Sequence, residues 1–315
     1  MFEKVSPSHP DKLADRLAGA IVDLAYERSE GGFLHGNPRI AVEVLAGHNR
    51  VDVQIETSLG RMDLRAEDID PLIRRLFGER VEGNVLIAPQ DAHLSENQTR
   101  GLRCGDNGIF RGCPPTEEQR VLTSLAATIY EKFPYDGKYL AGGLMLNPGS
   151  EYQAEVYGVT ICQSHATEEE IDECMRQWEE ANFGEMKNYP FEASCINPLG
   201  PWTGGIDVDC GCTNRKLGSD MGDGVTGGGL MGKDLSKGDV SINIVAFLKA
   251  VQSGQTVTAC CSIGDESVTF VYADGRRETE TFADVVEMAR LYIMVDCGGS
   301  FERFAEWGLL RPKAE

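Results

Sequence analysis

Nowhere in its 315 residues does the chain reach the roughly 18 to 20 consecutive apolar positions that a membrane-spanning helix needs. Its opening residues, Met1-Phe2-Glu3-Lys4, have neither the cationic start nor the apolar run of a secretory leader. These absences predict a cytosolic protein with no membrane partner. Positive charge is scarce: 30 Lys and Arg stand against 50 Asp and Glu, a formal charge of -20. Such a surface repels a phosphate backbone over most of its area, so nucleic acid is not an expected partner. Histidine numbers five, and Cys210-Gly211-Cys212 and Cys260-Cys261 lack the two-residue gap that lets two thiolates reach one zinc ion. The ten cysteines are scattered along a long chain, so reduced thiols are expected instead of a disulfide scaffold. A P-loop is missing too, because Lys233 is followed by Asp234 where that pattern needs Ser or Thr.

What is present is a chain 41% hydrophobic and longer than one core usually serves, hence two or three compact units. Leu13, Leu17, Ile21 and Leu24 recur at helical spacing between Asp11 and Glu27. Ile40 to Leu45 and Val51 to Ile55 read as strands of a hairpin turning at Gly47-His48-Asn49-Arg50. A helix over Ile69 to Phe77 and a strand at Asn84 to Ala88 follow. Pro89 to Pro115 reads as a long loop, of the kind that is commonly functional. Thr116 then opens a helix, strands fall at Tyr139 to Leu146 and Gln153 to Cys162, and Thr167 with Glu170 has capping-box spacing before another helix. After a second irregular stretch, Asn197 to Asp239, come a helix over Ile242 to Leu248, strands at Thr256 to Ser262 and Ser267 to Tyr272, and a helix from Phe282 to Tyr292. Strands followed by helices thus occur three times. The expected fold is α+β, with three similar βα subdomains in pseudo-threefold arrangement, mixed or antiparallel sheets carrying helices on one face. The subdomains divide at residues 1–100, 101–200 and 201–315.

An acidic protein can bind a polyphosphate if a few cations are focused beside carboxylates. Ser8-His9-Pro10-Asp11-Lys12 places a donor, a carboxylate and an ammonium at a helix start, where free N–H groups favour anions. The same five residues read equally as a cap, with Ser8 capping, Pro10 in the first turn and Asp11 complementing the dipole. Arg103-Cys104-Gly105-Asp106-Asn107-Gly108 and Asp136-Gly137-Lys138 are either ligand loops or ordinary turns. Asp209 to Asp239 is richest: Arg215, Lys216, Lys233 and Lys237 alternate with carboxylates among glycines, which suits a polyphosphate with divalent cations or, more plainly, a solvated loop.

Taken in order, these segments resemble the methionine adenosyltransferase family, the S-adenosylmethionine synthetases. Members begin with Gly-His-Pro-Asp-Lys, carry Gly-Ala-Gly-Asp-Gln-Gly in mid-chain and continue to Asn-Pro-Thr-Gly. Then come Gly-Asp-Cys-Gly-Leu-Thr-Gly-Arg-Lys and a Gly-Gly-Gly tract ending in Gly-Lys-Asp-Pro-Ser-Lys-Val-Asp. The matching stretches here are Ser8 to Lys12, Arg103 to Gly108, Asn197-Pro198-Leu199-Gly200, Val208 to Lys216 and Gly227 to Asp239. Glu3, six residues before His9, is a weaker match.

The resemblance implies conversion of ATP, L-methionine and water to S-adenosylmethionine, phosphate and diphosphate, by sulfur attack on C5′ followed by tripolyphosphate hydrolysis. It implies an ATP site of His9, Lys12, Asp136, Lys138, Trp202, Asp209, Arg215, Lys216, Lys233, Lys237 and Ile263. His9, Lys138, Arg215, Lys233 and Lys237 would be its catalytic members. Glu56, Gln90, Asp106 and Lys237 would hold methionine, Asp11 and Asp239 would hold magnesium (two ions per site), and Glu43 would serve potassium. Trp202 stands where the family has a phenylalanine packed on adenine. The implied assembly is a homodimer with active sites at the interface, alone or as a dimer of dimers. The chain departs from the pattern in its length and its contracted loops. Ser8 and Asn214 replace Gly, Cys104 replaces a small residue and Asn107 replaces Gln. Two other readings remain open: an ATP or tripolyphosphate hydrolase without methionine coupling, and a non-catalytic regulatory subunit.

Overall fold

The computed structural model describes residues 1–60, 63–91, 101–105, 107–146, 155–184 and 193–312, with 143–146, 155–157 and 193–194 described as backbone only. The first third holds β1 (Phe2–Val5), α1 (Pro10–Arg28), α2 (Gly32–His35), β2 (Ile40–Gly47), β3 (Arg50–Thr57), α3 (Ala66–Phe77) and β4 (Glu82–Pro89). The second holds β5 (Gly108–Gly112), α4 (Glu117–Lys132), β6 (Gly137–Leu146), β7 (Glu155–Gln163), α5 (Glu168–Phe183) and β8 (Ala193–Ile196). The third holds β9 (Gly211–Cys212), α6 (Leu217–Met221), α7 (Gly238–Ser253), β10 (Val257–Cys261), β11 (Ser267–Tyr272), β12 (Arg277–Thr281), α8 (Phe282–Asp296) and α9 (Phe301–Trp307).

These strands make three four-stranded sheets, ordered β9-β2-β3-β4, β1-β6-β7-β8 and β5-β10-β11-β12. Each third follows one plan, a helix and then an antiparallel hairpin (β2/β3, β6/β7, β10/β11). In the first two thirds a helix crosses over and the last strand lies parallel, β3 with β4 and β7 with β8. The third departs because only a short turn separates Tyr272 from Arg277, and such a turn permits an antiparallel partner alone. The edge strands close a cycle: β1 completes the second sheet, β5 the third and β9 the first. The expected α+β build of three similar βα units is thus what the chain adopts.

Local chemistry explains most elements. His48 and Asn49 take positive φ of 51° and 64° in the tight turn of the first hairpin. Thr116 with Gln119 and Thr167 with Glu170 form reciprocal capping boxes at α4 and α5. Helix α1 is buried well beyond the expected stripe, because it is enclosed between β2 and α9. Gly19 permits the latter approach, since a Cβ there would lie 2.6 Å from the carbonyl oxygen of Phe301. The expected loop Pro89 to Pro115 contains β5, and the irregular stretch Asn197 to Asp239 contains β9 and α6. All ten cysteines are free. Among the described residues, no helix is long and apolar enough to cross a membrane.

Candidate active site

The N-cap of α1 is His9, with Pro10 and Asp11 in the first turn. Ser8, expected as the cap, instead sends its hydroxyl to Tyr130 (3.1 Å) and to the Pro134 carbonyl (3.2 Å). The His9 Nδ1 accepts the Asp11 backbone N–H at 3.1 Å, so that nitrogen carries no proton. Burial, with Lys138 and Lys216 nearby, pushes the imidazole down to about 3. The ring is therefore neutral at physiological pH and its proton sits on Nε2, an enclosed atom with no protein partner.

Around this donor the fold gathers residues from distant stretches. One Asp11 carboxylate oxygen accepts the Cys212 N–H at 2.8 Å and lies 3.3 Å from the Arg215 guanidinium, which also bonds the Cys210 carbonyl. Burial raises the Asp11 carboxyl, against the pull of the Cys212 N–H and Arg215. Lys138, at the start of β6, donates to Asp209 at 3.1 Å and lies 5.7 Å from the Trp202 ring centre. Burial pushes Asp209 up, but hydrogen bonds from Lys138 and the Cys210 N–H outweigh it and hold the carboxyl below its ordinary range. Asp136 accepts the Gly205 N–H with one oxygen, while the other is buried without a partner. Burial moves its carboxyl up to about 6. Lys216 pairs with Glu3 at 3.1 Å. Trp202 lines an open cavity of about 550 Å³ with Pro201, Thr203, Gly204 and Val208.

The other expected residues stand on different segments. Lys233 pairs with Asp239 and donates to the Gly228 carbonyl at 2.7 Å. Gly228 leaves room for that pair, because a Cβ there would lie 1.9 Å from the Asp239 carboxylate and would force it to shift. Lys237 caps α7 through its backbone. Ile263, exposed after β10, donates its N–H to the Asn107 side chain at 2.8 Å. Glu43 and Glu56 are exposed on the outer face of the first hairpin, where Glu43 accepts the Thr213 hydroxyl. Gln90 follows β4, its N–H bonded to the Thr57 carbonyl and its side-chain oxygen buried without a partner. Asp106 lies outside the described residues. No hydrogen bond or ion pair among the described residues joins Lys233 or Lys237 to the His9 set. Lys12 faces neither set: it is buried against Asp15 and Asp220.

Two residues of the segment carrying Arg215, Asn214 and Gly211, have structural roles that the motif alone did not give. Asn214 stands at φ +61°, a conformation that Gly tolerates best and Asn better than most side chains, which explains how Asn occupies a family glycine position. Its side-chain oxygen also accepts the N–H groups of Leu230 and Met231, tying the segment to the glycine tract. Gly211 packs directly on α1, where a Cβ would lie 2.0 Å from the Pro10 carbonyl oxygen. Gly211→Ala is expected to destabilise the protein by about 1–3 kcal/mol through overpacking against rigid backbone. It should also weaken ATP-analogue binding, because the Cys212 N–H would leave Asp11. Thermal denaturation and calorimetry read the two effects.

No family model matches the chain. It is similar to the S-adenosylmethionine synthase of Jannaschia sp. (strain CCS1), 27% identical over 344 aligned positions that cover 93% of this chain and 84% of that protein. The synthase of Hyphomonas neptunium is 26% identical, covering 86% and 79%, and that of Cereibacter sphaeroides is 27% identical, covering 94% and 84%. By this similarity, which runs through all three interlocked α+β sheets, the chain is an enzyme of the transferase class. Over most of its length it is a shortened relative of the S-adenosylmethionine synthases.

Proposed function

We propose that the chain is a methionine adenosyltransferase, converting ATP, L-methionine and water to S-adenosylmethionine, phosphate and diphosphate. One observation supports this most. His9, Asp11, Lys138, Asp209, Arg215 and Lys216, drawn from separate stretches of sequence, converge beside Trp202 in a relative of enzymes named for that product.

The thioether sulfur has no proton to lose, so displacement at C5′ requires alignment and charge stabilisation, with no general base. The sulfur lone pair forms the S–C5′ bond while the C5′–O electrons leave with tripolyphosphate. The His9 Nε2–H donates to that departing oxygen. Lys138, Arg215 and Lys216 hold the charge that grows on it, acting in a partly desolvated site where such contacts are strong. Trp202 covers the adenine. Water then cleaves tripolyphosphate within the same cations.

Magnesium fits the donors present. Asp11 and Asp239 are single hard carboxylates, and no group of three such ligands occurs among the described residues. That suits an ion which takes one or two carboxylates and completes its shell with phosphate oxygens. Bound there, two magnesium ions would neutralise part of the triphosphate charge. Glu43, beside the Thr213 hydroxyl, offers oxygens to potassium.

Among the described residues no hydrogen bond or ion pair joins Lys233 or Lys237 to the His9 set, which supports a homodimer with shared sites, in which one copy supplies the His9 set and its partner the lysines of 233–239 with Glu56 and Gln90. The outer face of the first sheet, where Leu45 and Leu86 are exposed beside Glu43 and Gln54, suits burial by a second copy.

With ATP, methionine, magnesium and potassium, the purified protein is expected to release S-adenosylmethionine with phosphate and diphosphate. Lys233→Ala should lower the rate at least about 100-fold. Product no greater than in that variant would sink the reading, and phosphate release without methionine would favour the hydrolase.

A further inference from the structure

We infer that Lys12, with Asp15 and Asp220, is a positioning triad that holds the Arg215–Lys216 segment against helix α1 and makes no contact with the nucleotide. This rests on the pocket being a nucleotide site. The Lys12 ammonium donates to one oxygen of Asp15 at 3.0 Å and to both oxygens of Asp220 at 2.8 and 2.7 Å. Its three protons are thereby used, and all three side chains are enclosed, with at most 1% exposure. An ammonium so placed has nothing left for a phosphate.

The two carboxylates reach the phosphate-facing segment from either end. The second oxygen of Asp15 accepts the backbone N–H of Asn214, one residue before Arg215, at 2.8 Å. Asp220 belongs to α6, which begins directly after Lys216. Its own carbonyl accepts the N–H groups of Leu309 and Leu310. A second buried lysine, Lys4, donates to the carbonyls of Ser219, Trp307 and Leu310 at 2.7, 2.9 and 2.8 Å. Helix α6 is thus clamped between the N-terminal elements and residues 307–310. Gly308 allows that approach, since a Cβ there would lie 2.4 Å from the Asp220 Cβ. Arg215 and Lys216 stand on a short bridge anchored at Asn214 before them and at Ser219 and Asp220 after them.

Three variants test this. Asp15→Asn keeps an oxygen for the Asn214 N–H but loses the charge that Lys12 pairs with. Measured well below its melting temperature, it is expected to bind the imido analogue of ATP about tenfold more weakly, with a similar loss in S-adenosylmethionine formation. Lys12→Met alone strands two buried carboxylates and is expected to lower melting temperature and affinity together. Combining Lys12→Met with Asp220→Asn strands one buried carboxylate, Asp15, in place of two, and is expected to recover part of the melting temperature and part of the affinity. Wild-type affinity in Asp15→Asn would overturn the inference, leaving the triad a stabilising device only. So would a Lys12→Met protein that keeps its melting temperature yet loses affinity with no recovery in the double variant, which is the signature of a direct phosphate contact. If the unaltered protein fails to bind the analogue, the nucleotide reading itself falls and this inference falls with it.

Discussion

Replacing His9 with alanine is expected to slow S-adenosylmethionine formation about 100- to 1,000-fold, while affinity for the imido analogue of ATP stays within about threefold. The asymmetry follows from where the proton lies. Because Nδ1 is occupied by the Asp11 N–H, the Nε2–H is left without a protein partner, and in the proposed reaction that donor would matter most when charge develops on the oxygen leaving C5′. In the proposed site, triphosphate in the ground state would be held chiefly by Lys138, Arg215 and Lys216. Loss of the helix cap should cost about 1 kcal/mol, too little to unfold the protein, and His9→Asn, which keeps an accepting oxygen for the cap, controls for it. Steady-state rates and calorimetry measure the two effects; equal losses in both would undo the assignment. Stability should change with pH in a defined sense. The folded pKa of about 3 lies below the ordinary 6.5, so between those values the unfolded chain holds a proton that the folded one lacks, and stability falls as pH falls through that window. His9→Ala should lose less stability there than the unaltered protein.

The second large effect is a recovery. His9→Ala and Lys233→Ala proteins, each nearly inactive alone, are expected to regain about a quarter of wild-type activity when refolded together in equal amounts. Random pairing makes half of the dimers mixed. If each site takes His9 from one copy and Lys233 from the other, a mixed dimer has one doubly defective site and one intact site. Mixed dimers isolated through two different affinity tags should then show half of wild-type activity. No recovery in such isolated dimers would place both residues in a site within one chain, and the shared-site proposal would fail.

Much of this was legible in the residues. The apolar spacing of α1, the turn at His48-Asn49 and the capping box of Thr167 and Glu170 are local signals, and local signals survive without knowledge of the fold. Strands β1, β5 and β9 were not legible. They are two to five residues long and have no strand character of their own; each pairs with a hairpin far away in sequence. Gly112 in β5 looks like loop punctuation, yet it is there because a Cβ would lie 2.1 Å from the Ala246 carbonyl oxygen of α7. Asn214 likewise looked like a departure, and its positive φ makes it a substitute.

By itself, then, the sequence determined the longer helices and the hairpins of three like units, the charged motifs and their order, because periodicity, turn chemistry and residue type act over a few neighbours. Only the tertiary structure decided which cations lie open beside His9 and Asp11. Arg215, Lys216 and Lys138 do, while Lys12, in the same motif as His9, turns inward to Asp15 and Asp220. A buried ammonium needs partners that offset its lost hydration, and although Asp15 lies one turn along the same helix, Asp220 is supplied by a helix about 200 residues further along the chain.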